Sequence, residues 1–209
     1  MKNTKSIALL LCMLLFFVQC QNKNKAEEPV ETYEMTPEFA EKIDKPEIHF
    51  TVDIPKSLKF NKPEIGKKSS SYGMIQKVED DGVVTEMCSF GYISIDGVEF
   101  EENARSFMRQ VRSMLTRGGY TIEKDTIGNL PFDGEKYMTL KAEAIMEKGK
   151  TPEFVGTYLF NVVVKPNPKG NTSIIFLMAA RDDQDAETYE DFKDKLTIST
   201  VWNTFQYLK

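Results

Sequence analysis

Histidine and tryptophan occur once each in 209 residues, and cysteine three times. His49 would have to serve any Ser–His or Cys–His pair, and zinc normally takes several His or Cys ligands. It falls on the polar side of the alternating run IHFTVDIP, where a surface residue is expected. Beyond residue 20 one cysteine remains, Cys88, so no internal disulfide can close there and core burial must stabilise the fold. Its setting, TEMCSFGYISI, is strand-like, and a small buried hydrophobe is expected. The glycine pair Gly118-Gly119 follows a helical pattern, whereas a phosphate cradle must precede one. Asp183, Asp185 and Glu187 alternate, but without the glycine of a calcium loop. Glu79-Asp80-Asp81 and Asp182 fall in turns, where solvated acids are ordinary. No metal, cofactor or catalytic residue is therefore expected.

A basic excess is also lacking. Residues 1–20 hold two lysines and no acid, so residues 21–209 carry 25 basic against 32 acidic side chains, a formal charge of −7. A chain of that sign repels phosphate backbones, which excludes nucleic acid as a partner. It also gains no overall attraction to anionic lipid. A long apolar run is missing as well. Residues 6–18 are nearly all apolar but fall short of the ~20 residues that a membrane-spanning helix needs.

What stands in their place is informative. Lys2 and Lys5 precede the apolar run, and LLFFVQCQNKNK carries it into Cys20 and then into a polar segment. This resembles a bacterial lipoprotein signal, in which the cysteine becomes the first mature residue and is acylated on its thiol and amine. The other reading is an ordinary signal with an incidental cysteine. The polar run 21–30, with nothing to bury, favours the lipoprotein. The expected organisation is a signal peptide over 1–19, lipidated Cys20 and a tether over 20–36, and a single globular domain over 37–209. The resemblance implies a lipid anchor in the bacterial cell envelope, at the outer membrane and facing the periplasm.

Thr36-Pro37-Glu38 starts a short helix, with Phe39 and Ile43 as its apolar contacts and Lys45-Pro46 as its end. IHFTVDIP alternates as a half-buried strand, and a lysine-rich loop over 56–68 follows it. SYGMIQKVE and VVTEMCSFGYISI flank Asp81-Gly82, a hairpin signal. The clearest helix runs over 101–117, with Ala104, Phe107, Met108, Val111, Met114 and Leu115 on one face. Four strands then follow: a short YTIEKDTI, KYMTLKAEAIME, EFVGTYLFNVVV and TSIIFLMAA. Residues 174–180 have no polar face, so that strand should be central. Two helical pieces close the chain, the first capped by Asp185, with a break near Thr197. Tight turns and few helices give an α+β fold, an antiparallel sheet with helices packed on it.

HFTVDIP, ARSFMRQVRSMLTRGGYTI, the meander and STVWNTFQYL together look like the PsbP-like fold, an α/β/α sandwich shared with the Mog protein and with the DcrB and LpqN lipoprotein groups. The likeness covers residues 47–208 and brings no catalytic site with it.

Arg105, Arg109 and Arg112 cluster opposite Phe107 and Val111 on the helical wheel. They are either a solvated face or a docking stripe for an acidic partner or a phosphate-bearing glycolipid, which the lysine loop could extend. The first function class is thus a non-enzymatic binding or accessory module for another envelope component. A carrier of a lipid or acyl chain held between sheet and helix is the alternative. A hydrolase with an unrecognised site ranks third.

Overall fold

The computed structural model describes residues 28–94, 100–149, 151–182 and 186–209. The first element is β1 (Val30–Met35), paired antiparallel with β2 (Phe50–Pro55) from Val30 opposite Pro55 to Met35 opposite Phe50. This corrects the boundary expected from sequence. The tether drawn to residue 36 gives way to a strand whose Tyr33 and Met35 are buried, so the fold begins by Val30. Three alternating positions were too few to read as a strand without the β2 partner that buries them.

Between these strands lies α1 (Pro37–Lys42). Thr36 caps it by accepting from the Phe39 amide at 3.2 Å, with Pro37 opening the first turn. Inside the lysine-rich segment is the short β3 (Lys59–Asn61), antiparallel to β4 (Met74–Val78). The hairpin expected at Asp81-Gly82 joins β4 to β5 (Val84–Ser94), with Gly82 at a φ of +86° that favours glycine.

The long helix is α2 (Phe100–Arg117). It is followed by β6 (Tyr120–Phe132), β7 (Glu135–Met146), β8 (Gly156–Lys165) and β9 (Thr172–Arg181). A short 3₁₀ turn spans Tyr189–Lys193, and α3 (Ser199–Thr204) and β10 (Gln206–Tyr207) complete the elements. β6 is 13 residues long, against the short strand expected. Being an edge strand with mostly exposed side chains, it accommodates Pro131 and shows little alternation. The end of the chain differs too. Phe205 leaves the helix, and Gln206–Tyr207 pair with β2 instead of continuing it. The 3₁₀ turn is capped by Thr188, whose side chain and that of Asp191 bond reciprocally with the backbone. The cap expected at Asp185 lies outside the described residues.

The larger sheet runs β3-β4-β5-β9-β8-β7-β6, all antiparallel, and the smaller runs β1-β2-β10. β9 is the fourth of seven strands, as its unbroken apolar run requires. Its residues alternate between two cores. Ile174, Phe176, Met178 and Ala180 face the smaller sheet, while Ile175 and Ala179 face α2. The face expected to carry the closing helix is therefore covered by a three-stranded sheet together with short helical pieces. Phe50, Phe90, Phe176, Phe205 and Trp202 fill that side with edge-to-face and tilted ring contacts.

On the other side, α2 packs on β6 and β7. It buries Ala104, Met108, Val111 and Leu115. Phe107, expected in the core, is only partly buried, and Met114 is 53% exposed. The apolar stripe is thus narrower than the wheel suggests, because the helix lies along the outer strands of the sheet.

Candidate functional site

Cys20 lies outside the described residues. Of the three stripe arginines, two are bonded within the chain. Arg112 donates to both carboxylate oxygens of Asp125 on β6, at 2.9 and 3.1 Å, which holds its guanidinium pKa above the ordinary value. Arg105 bonds Glu101 and the Ile127 carbonyl. Arg109 is exposed and has no bonded partner among the described residues. The stripe therefore serves in good part to fasten α2 to the edge strand. The lysine-rich segment does not extend it. Residues 56–68 belong to the β3 edge of the seven-stranded sheet, and α2 lies at the β6 edge.

The seam between sheet and helix, where a carried acyl chain would sit, is occupied. Met108, Val111 and Leu115 pack against Leu140, Ala142, Phe160 and Val162.

Cys88 on β5 is fully buried, and burial pushes its thiol well above the thiolate range. It is the small core hydrophobe expected. His49 precedes β2, with one ring nitrogen 2.8 Å from a Glu34 carboxylate oxygen and the other 2.8 Å from the Lys209 carbonyl oxygen. The bond to Glu34 raises its pKa. It lines a surface cleft of about 600 Å³ with Glu47, Asn167, Lys169 and Thr172. Several of these polar groups are already engaged. Lys169 donates to the Tyr207 carbonyl, and the Asn167 side chain bonds the Thr172 carbonyl and the Lys169 amide. No group of three or more His, Cys, Asp or Glu able to hold a metal occurs among the described residues, and no helix there is long and apolar enough to cross a membrane.

Three arrangements were not read from the sequence. Lys165, at the end of β8, points its ammonium at the Trp202 ring, 4.2 Å from the centroid, with Phe205 at 5.4 Å and Phe176 at 5.9 Å. Burial lowers its pKa and Asp133 opposes the shift. Asp133 also accepts from the Trp202 indole at 2.9 Å, so the cation ties β8, the β6–β7 turn and α3 together. Glu86, 2% exposed, accepts from the Ile198 amide, the Thr197 hydroxyl and Lys77, which anchors the closing segment. No local pattern marks Lys165, and Glu86 meets its hairpin partner Lys77 locally but its closing-segment partners Thr197 and Ile198 only across the fold.

The third arrangement surrounds the place where the chain enters the fold. The Lys56 amide donates to the Pro29 carbonyl, the Ser57 amide to Glu28, and Lys62 pairs with Glu31. Lys56, Lys59, Lys62, Lys67 and Lys68 are all exposed. Ile65, at the tip between Glu64 and Lys67, is 63% exposed, more than any other large apolar side chain described. This end and the His49 cleft lie at opposite ends of β2.

No protein-family model and no curated protein matches the chain. It is similar to the solution structure of cyanobacterial PsbP (CyanoP) from Synechocystis sp. PCC 6803, at 14% identity and a TM-score of 0.49, over 88% of this chain and 96% of that one. It is also similar to the Ran-binding protein Mog1p of Saccharomyces cerevisiae, at 10% identity and a TM-score of 0.39, over 85% of this chain and 96% of that one. These likenesses concern the fold alone. By its own elements the chain is an α+β protein, and PsbP and Mog1p are solved folds to which it is similar.

Proposed function

We propose that this chain is a bacterial envelope lipoprotein, acylated at Cys20, whose domain is a non-enzymatic binding or accessory module for another envelope component. The observation that carries the reading is the apolar run of residues 6–18, too short to span a bilayer, ending at a cysteine that opens a polar segment. One acyl chain binds a membrane marginally and reversibly, while two or more hold it firmly. The outer membrane, facing the periplasm, is the location that fits such an anchor.

Binding rather than catalysis is favoured by how the reactive groups are placed. The Cys88 thiol is buried in the core, and both ring nitrogens of His49 are bonded within the chain. The test is in-cell crosslinking of wild type and Cys20→Ala, with the captured proteins read by mass spectrometry. Envelope proteins captured by wild type and lost from the variant support the reading. The same captures from both would overturn the dependence on the anchor.

A further inference from the structure

The net charge of residues 21–209 hides a segregation. Residues 56–68 hold five lysines and one glutamate, a formal +4, so the rest of that stretch carries −11. We infer that residues 56–68 form a second membrane contact, which docks the domain end-on against the anionic headgroups of the phospholipid surface to which Cys20 anchors it. The inference rests on the anchor reading and adds an orientation to it.

Four observations converge. Glu28, Pro29 and Glu31 bond directly to Ser57, Lys56 and Lys62, so the chain enters the fold at this end. Eight residue steps separate Cys20 from Glu28, which reach at most about 28 Å even when fully extended. An anchor at Cys20 thus keeps this end close to the bilayer. Headgroup fields decay over about 8 Å at physiological salt, so proximity is what makes the lysines count.

The second observation is charge. Lys62 and Lys67 share theirs with Glu31 and Glu64, while Lys56, Lys59 and Lys68 have no acidic partner in bonding range among the described residues. The third is the tip. The Lys67 amide closes a turn onto the Glu64 carbonyl, and Gly66 adopts a φ of +78° within it. That turn holds Ile65 out into solvent, between Glu64 and Lys67. An exposed apolar side chain in a lysine-rich segment suits an interface where headgroups meet acyl chains.

The fourth is the competing patch. The arginines of α2 stand at the opposite sheet edge, and Arg105 and Arg112 are paired with Glu101 and Asp125. The acidic remainder is repelled by an anionic surface, so repulsion elsewhere and attraction here turn the domain the same way.

The test uses the full-length chain, extracted in detergent and reconstituted by its own anchor. One set of vesicles is phosphatidylcholine alone, and the other contains about one part in three phosphatidylglycerol. Lysines are reductively methylated with formaldehyde and dimethylamine–borane as the hydride donor, both uncharged, and their rates are read by mass spectrometry. Lys59 and Lys68 should react at least about threefold more slowly on the anionic vesicles, and high salt should erase the difference. Lys124 on β6 and Lys136 near the start of β7 should react alike on both. In Lys59→Glu/Lys68→Glu, the protection of Lys56 should vanish. Equal rates at Lys59 and Lys68 on the two vesicle types would overturn the inference, as would equal protection at Lys124 and Lys136. An acidic protein partner for this end would leave the two vesicle types indistinguishable, which also counts against it. The same spectra show whether the Cys20 peptide carries acyl mass. If it does and the lysines are unprotected, the docking surface fails while the anchor stands. If it does not, the anchor reading fails whatever the lysines do.

Discussion

Arg112 and Asp125 form a two-pronged pair across the gap between α2 and β6, with Nε 2.9 Å from Oδ2 and Nη2 3.1 Å from Oδ1. The fork of a guanidinium matches a carboxylate in this way, and both groups keep contact with water. Arg112→Gln should therefore lower the melting temperature. Arg109→Gln, one turn away and without a bonded partner among the described residues, should leave it unchanged. The Arg112 effect should shrink in high salt. Equal melts for the two variants would return Arg112 to a solvated surface role.

The buried face of α2 is set by Met108 and Val111 rather than Phe107. Met108→Ala should cost about 2–5 kcal/mol, as a large-to-small change in a packed core. Phe107→Ala should cost less, because its ring already meets solvent. Denaturant titration of both variants decides the order, and a larger loss at Phe107 would mean that the helix is rotated from the phase described.

Strand β1 makes residues 30–35 part of the fold. Met35 is fully buried, and the buried Tyr33 hydroxyl donates to the Tyr72 carbonyl at 2.8 Å. Met35→Ala should cost about 2–5 kcal/mol. A chain started at residue 37 should lose cooperative melting, since β2 would lose its hydrogen-bonded neighbour and the core would lose Tyr33 and Met35. Unchanged melting of that shortened chain would restore the tether reading to residue 36.

The raised pKa of His49 makes a pH-dependent contribution. Its imidazolium is held by the hydrogen bond to Glu34, so the folded pKa lies above the ordinary histidine value. The stabilisation is fully present below the unfolded pKa and fades as pH rises through the folded one. The melting difference between wild type and Glu34→Gln should thus be larger near about pH 5.5 than near about pH 9. A difference that grows with pH would contradict the assignment.

How much of this was legible depended on how local the cause is. β7 alternates because Met138, Leu140, Ala142 and Ala144 reach one core and Met146 is buried in the same phase, and its sequence shows that directly. The Asp81-Gly82 turn and the Thr36 cap are written in neighbouring residues, and both are where they were expected. The centrality of β9 followed from a strand with no polar side. β1, the length of β6 and the switch from α3 to β10 were not legible, because each is decided by a strand elsewhere in the chain. The arginine stripe was visible as a pattern, but its use was not, since Asp125 stands thirteen residues away on another element. The lysine segment was also visible, but its adjacency to the incoming chain required the bonds from Lys56, Ser57 and Lys62 to residues 28–31.

The central claim is acylation at Cys20, and metabolic labelling with an alkyne fatty acid tests it most directly. The full-length chain should take up the label and fractionate with membranes, while Cys20→Ala should do neither. Label retained by the Cys20→Ala chain would contradict the claim.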